Sequence, residues 1–199
     1  MSEERDRIAR ALVELVGTVG YRETDLGDVL ARTGVDEATF ARHFAGKEEC
    51  FLAVWDELTL AQSAVAAKAF AGPGTWRERM RAAAWVTLDY LQEDLARTRF
   101  LVLEVLNAGE IALTRREAAI AARVDWIDEG RHEPGAPAEL TRATAEYIAG
   151  AVNEMLIRKT RSGEIKRGAQ VMLRELMYMA VRPYLGEAAA REELYLPAP

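Results

Sequence analysis

GYRETDLGDVLARTGVDEATFARHF, residues 20–44, decides the fold, with AGKEECF running on from it to residue 51. Leu26, Val29 and Leu30 share one apolar face. Gly34 interrupts the pattern, and Val35 and Phe40 resume it. This spacing predicts two short helices joined by a tight turn, with a third helix behind them. It is the layout of a helix-turn-helix, whose second helix can enter a DNA major groove. A plain helical corner is the bland reading of the same pattern. Asp25 or Thr24 can cap the first short helix, which ends near Thr33, and Asp36 is placed to cap the second.

Upstream, Ile8, Leu12, Leu15, Val16 and Val19 recur at helical spacing over about Glu3 to Val19. Gly20 is placed as the stop signal. Downstream, Lys47 to about Phe70 predicts a long helix with Phe51, Val54, Trp55, Leu58 and Val65 on its apolar side. AGPGT (71–75) breaks it. Trp76 to about Leu95 is amphipathic. Thr98 to Asn107 contains FLVLEVL, apolar on nearly every side, which predicts a helix buried all round. Helices are expected over Ile111–Glu129, Leu140 to about Thr160, and Ile165–Leu185, with a loop at His132–Glu139. The last helix carries apolar residues on more than one face, enough to serve its own core and a partner. After Pro183 the chain is expected to tail off.

Composition narrows the class. The chain has 199 residues, half of them hydrophobic and 29% charged, as in ordinary soluble globular proteins. No apolar run approaches the roughly 20 residues that span a bilayer. The charged start MSEERDRIAR lacks a signal-peptide core. No membrane partner and a cytoplasmic location are therefore expected. Cys50 is the only cysteine, so no internal disulfide is possible, and a small buried hydrophobe is favoured over a redox sensor. His43 and His132 are too few and too far apart to suggest a metal site. No nucleophile–base pair or paired carboxylates stand out, so neither catalytic residues nor a cofactor are expected.

The net charge is −6, and residues 1–47 hold seven basic groups against nine acidic ones. Any grip on DNA must then come from the placement of a few cations, not from bulk charge.

The order of residues resembles the TetR family of transcriptional regulators. It runs from an amphipathic helix through Gly20-Tyr21, Thr24 and Gly34-Val35-Asp36. Thr39-Phe40, Arg42-His43-Phe44 and Gly46-Lys47-Glu48 follow. About the first 55 residues carry the specific likeness. It implies an all-α fold. Residues 1–47 would form a three-helix DNA-binding domain, with the helix-turn-helix at about 25–44. Residues 48–199 would form a larger helical ligand-binding and dimerisation domain. It also implies a homodimeric, ligand-responsive repressor that binds a pseudo-palindromic operator in double-stranded DNA. The rival is a helical dimeric adaptor or ligand-binding protein with weak or lost DNA binding.

By position, the resemblance implies DNA contacts from Thr39, Arg42 and His43, with Lys47 at a phosphate and Thr24, Asp25, Glu37 and Ala38 beside them. For His43, a packed ring closing the helix is an equal reading. Ala41 stands where the family usually has a tyrosine that contacts the DNA backbone. Leu30 replaces a small alanine, Gly27 a polar or basic residue, and Asp25 a threonine or serine. These departures imply weaker, more salt-sensitive or more selective binding.

The family likeness further implies a cavity for a small hydrophobic ligand. Candidates to line it are Trp55, Trp85, Phe100, Glu104, Asn107, Trp126, Tyr147 and Met155. Glu104 and Asn107, like Asn153 and Glu154, sit within apolar stretches. They either bond one another, water or solvent, or orient a ligand. The last two long helices are expected to pair across a two-fold axis through Tyr147, Ala151, Met155, Leu173, Leu176, Met177 and Tyr184.

Overall fold

A computed structural model describes residues 3–199, all helix and loop. In chain order the helices are α1 (Glu3–Val19), α2 (Leu26–Thr33), α3 (Glu37–Ala41), α4 (Lys47–Phe70), α5 (Trp76–Glu93), α6 (Leu95–Val102), α7 (Glu110–Asp128), α8 (Arg142–Ser162) and α9 (Ala169–Glu193). Short 3-10 turns follow α6, α7 and α8. Among the described residues no helix is long and apolar enough to cross a membrane.

Two apolar cores organise these helices. The first gathers Ile8, Leu12 and Val16 of α1, Val29 of α2, Phe40 of α3, and Cys50, Phe51 and Val54 of α4. It is closed from the body side by Phe100 of α6 and by Val105, Ala108 and Ala112. Phe51 and Phe100 meet at 4.5 Å between ring centroids. The second core lies among α5, α7, α8 and α9, around Trp76, Leu88, Ile148, Met172, Leu173, Met177 and Tyr184. The long helix α4 enters both, with Phe70 in the second.

Three stretches depart from the sequence expectation. The helix expected over Thr98–Asn107 is instead α6, ending at Val102, followed by a 3-10 turn at Glu104–Asn107. Asp94 starts α6 as a new helix, its carboxylate accepting the Arg97 N–H at 3.1 Å. Residue 165 is not the start of α9. A 3-10 turn at Glu164–Arg167 comes first, and Ile165 is buried there. Nor does the chain tail off after Pro183. Gly186, at φ 81°, puts a kink in α9, and helix resumes to Glu193.

What draws that last segment down is an ion pair. Glu193, 1% exposed, meets Arg81 and Arg77 of α5, and Arg77 also donates to Glu192 at 3.0 Å. The Arg77 guanidinium further donates to Ala189 O at 3.1 Å. A buried carboxylate is tolerated only when its charge is paired and its oxygens are hydrogen-bonded, and the two guanidinium groups take one Glu193 oxygen each.

Val19 and Val65, expected on inward stripes, are more than half exposed. In α1 the inward face is set by Gly17, which lies against the backbone of α6. A Cβ there would sit 2.1 Å from Ala96 O. The close approach needs a residue with no side chain. Gly17→Ala is expected to destabilise the fold by about 1–3 kcal/mol through overpacking. Urea denaturation followed by circular dichroism measures this, and an unchanged midpoint would contradict the close α1–α6 packing.

Candidate nucleic-acid interface and ligand cavity

The turn between α2 and α3 is built by its own side chains. Asp25 and Asp28 form a reciprocal capping box. Asp25 Oδ1 accepts the Asp28 N–H at 2.9 Å, and Asp28 Oδ2 accepts the Asp25 N–H at 2.8 Å. Gly34 takes φ 69° and donates its N–H to Leu30 O at 2.8 Å, ending α2. Asp36 Oδ1 accepts the Thr39 N–H at 2.7 Å to start α3. Hydrogen bonds from Thr39, its side chain first, hold the Asp36 carboxyl below its usual pKa. Three of the acidic groups in this segment are therefore engaged with helix starts.

Phe40, 2% exposed, anchors α3 to the core. Glu37, Ala38, Ala41 and Arg42 then face solvent, with Thr39 half-buried beside them. Arg42 donates to Thr39 Oγ1 at 3.0 Å and lies 3.7 Å from the Glu4 carboxylate. His43 is half-buried, with Nε2 3.5 Å from the same carboxylate. Its ring lies 6.5 Å from that of Phe44, centroid to centroid. Asp25 is exposed beside the cap.

Two of the DNA candidates face inward. Thr24 is fully buried and donates its hydroxyl to Gly20 O at 2.8 Å. Lys47 turns its ammonium onto the loop between α1 and α2. It donates to Tyr21 O at 2.8 Å and Thr24 O at 2.6 Å, and sits 4.2 Å from the centre of the Tyr21 ring.

On the other side of that loop stands Glu104, 6% exposed. Its Oε2 accepts the Tyr21 N–H at 2.9 Å and the Asn107 Nδ2–H at 3.3 Å. Glu104 thus bonds its neighbour Asn107 and the α1–α2 loop of the three-helix N-terminal head (α1 to α3), outside the cavity lining.

The cavity lies between α4, α5, α7 and α8, with the end of α6 and Leu176 of α9 also at its wall, and has a volume of about 180 Å³. Its wall is mostly apolar. Trp55 and Trp126, both expected there, line it. The other candidates lie elsewhere. Phe100 is fully buried in the first core, and Glu104 and Asn107 sit at the α1–α2 loop. Trp85 and Met155 pack against the second core outside the lining, and Tyr147 is 78% exposed on α8. Asn153 does line the cavity.

The sequence reading missed Gln62, Thr87, Arg116 and Arg123, which also line the cavity. Arg123 donates to Gln62 Oε1 at 3.2 Å, Gln62 Nε2 donates to Thr87 Oγ1 at 2.8 Å, and Thr87 donates to Ala83 O at 2.8 Å. This chain links α7, α4 and α5 across one wall. The signal was available: Arg116, Ala119, Ile120 and Arg123 fall on one helical stripe, cations at both ends of an apolar face.

Of the residues expected between protomers, Leu173, Leu176, Met177 and Tyr184 are buried within the single chain. Side chains enclosed by their own protomer have no surface left for a second. Tyr147 and Ala151 are exposed and Met155 half-buried on α8, and Val171 is 58% exposed on α9.

Residues 8–54 match the family described as bacterial regulatory proteins, tetR family. The chain carries the DNA-binding domain of a TetR-family regulator. No curated protein matches it. Among solved structures it is similar to the fatty acid degradation regulator FadR from Bacillus halodurans. The TM-score is 0.76 at 14% identity, over 89% of this chain and 96% of that one. FadR from Bacillus subtilis in complex with stearoyl-CoA gives 0.74 at 16%, over 86% and 97%. The TetR-family regulator PfmR from Thermus thermophilus gives 0.72 at 18%, over 94% and 98%. At such identities the likeness is one of fold, and it extends well beyond the matched domain.

Cys50, in the first core, is fully buried, and burial pushes its thiol up to about 12. The native protein is expected to resist an aromatic disulfide reagent at mildly alkaline pH and to react fully in denaturant. Rapid labelling of the folded protein would count against a packed thiol.

Proposed function

We propose that the protein is a ligand-responsive transcriptional repressor that binds a pseudo-palindromic operator as a homodimer. The observation that carries this reading is the exposed α3 surface. Thr39 and Arg42 stand there on a helix whose inner face is fixed by Phe40 and whose start is fixed by Asp36. A guanidinium at that place can donate two bonds to a guanine edge or to a phosphate. Gly46, at the N-cap of α4, offers no side-chain cap, so the first backbone N–H groups of the helix favour a phosphate as well. The inward Lys47 supports the phosphate contact by holding the loop beside it.

Dimerisation is read from α8 and α9. Their outer surface keeps Tyr147, Ala151 and Val171 exposed, while the inner one is spent on the protomer core. Pairing through the outer surface would put two copies of α3 on successive major grooves. The structure of Bacillus subtilis FadR in complex with stearoyl-CoA is a precedent for a protein of this fold that binds a ligand.

A ligand in the cavity would bear on α4, which lines it at Trp55, Thr59 and Gln62 and begins at Lys47. Lys47 and Gln62 are about 22 Å apart along the helix. If bound ligand favours one tilt of α4, the spacing of the two heads follows.

Selection of genomic DNA fragments at low and high salt tests the regulator. The expected result is a recurrent palindromic sequence, with affinity falling as salt rises and Arg42→Ala weakening binding about tenfold or more. The absence of salt-dependent, sequence-selective binding would favour the adaptor reading instead.

A further inference from the structure

Arg123 stands out among the cations turned inward. Arg81 and Arg77 reach Glu193, and Arg131 reaches Asp128 at 2.6 Å. Among the described residues, neither Arg123 nor Arg116 is in an ion pair. Arg123 gives one bond to Ala119 O at 3.2 Å and one to Gln62. The other donors of its guanidinium fork are unclaimed. Burial alone lowers its pKa from the ordinary value, as expected of a cation without an anion. Burial lowers Arg116 as well, offset in part by Glu117 and Glu154. Both side chains line the same cavity, whose remaining wall is formed largely by leucine, isoleucine, alanine and tryptophan.

A half-buried cation facing an apolar space loses part of its hydration, and an anion in that space would restore the compensation. The cavity holds about 180 Å³, against roughly 10–15 Å³ needed for one water. It therefore has room for a ligand that brings its own anion. We propose that the cavity takes a carboxylic acid with an apolar body. The carboxylate pairs with the Arg123 guanidinium, assisted by Arg116, and the body lies along Ile120, Leu88, Leu91 and Leu156. The Arg123–Gln62–Thr87 chain fixes the fork, so a planar carboxylate can meet it in two parallel bonds. Gln62 belongs to α4, so a carboxylate on Arg123 is linked through one hydrogen bond to the helix that begins at Lys47. The inference rests on the ligand-responsive reading above and names the chemistry of the ligand.

The test is isothermal titration of the full-length protein with octanoate, dodecanoate and naphthoate, each beside the alcohol of the same skeleton. At least one acid is expected to bind about tenfold or more tighter than its alcohol. The best acid tells an aliphatic source from an aromatic one. In Arg123→Met the preference should vanish while the alcohol still binds, which shows the cavity intact. Should that variant fail to fold, Arg123→Gln carries the same comparison. Alcohols binding as well as acids, no acid of the set binding, or a preference that survives loss of Arg123 would each overturn the proposal. Operator binding without ligand is read separately. Intact DNA binding with no acid preference sinks this inference alone. Acid preference without DNA binding sinks the repressor reading alone.

Discussion

The backbone of Tyr21 is held on both sides by opposite charges. Its N–H is donated to the Glu104 carboxylate, and its carbonyl accepts from the Lys47 ammonium. Glu104 belongs to the turn after α6, and Lys47 is the first residue of α4. The loop that joins α1 to α2 is thereby tied to two helices of the body at once. Gly20, at φ 110°, brings the chain into this position, and Thr24 closes the loop by donating to Gly20 O. A charge-assisted bond at either end is stronger than a neutral one.

The position of the head follows from that tie. α1 lies on α6 at Gly17, α3 hangs on Phe40, and Phe51 of α4 packs on Phe100 of α6. The exposed side of α3 therefore has one orientation relative to the body while α4 and α6 stay where they are. Leu101 and Val102, at the end of α6, line the cavity, and the Leu101 carbonyl accepts the Trp55 indole N–H at 3.1 Å. The cavity and the Tyr21 tie share α4, and the turn that carries Glu104 follows directly on α6. That is a physical route by which occupancy could move the head, and it needs no long chain of intermediaries.

Much of this was legible in the sequence because it is local. The Asp25 and Asp36 caps, the Gly34 turn, the bounds of α4 and the apolar face ending at Phe40 each depend on residues within a few positions. What was not legible depends on distant partners. FLVLEVL looked like a uniform buried helix, yet Glu104 turns out of it to meet Tyr21, 83 residues away. The segment after Pro183 looked like a tail because its holding partners, Arg77 and Arg81, lie on α5. Lys47 was expected at a DNA phosphate, since nothing in its neighbourhood of the sequence shows two carbonyls waiting for it. In the cavity, aromatic residues drew attention away from Arg116 and Arg123. Hydrophobic size is easy to see in a sequence, whereas an unpaired charge shows only once partners can be counted in space.

The most direct test is amide hydrogen exchange at Tyr21 in the wild-type protein and in Glu104→Ala. If the Glu104 carboxylate ties the head to the body, exchange at Tyr21 should quicken at least about tenfold in the variant. Amides of the second core, such as Leu173, should keep their protection. Unchanged exchange at Tyr21 in a folded Glu104→Ala protein would contradict the account.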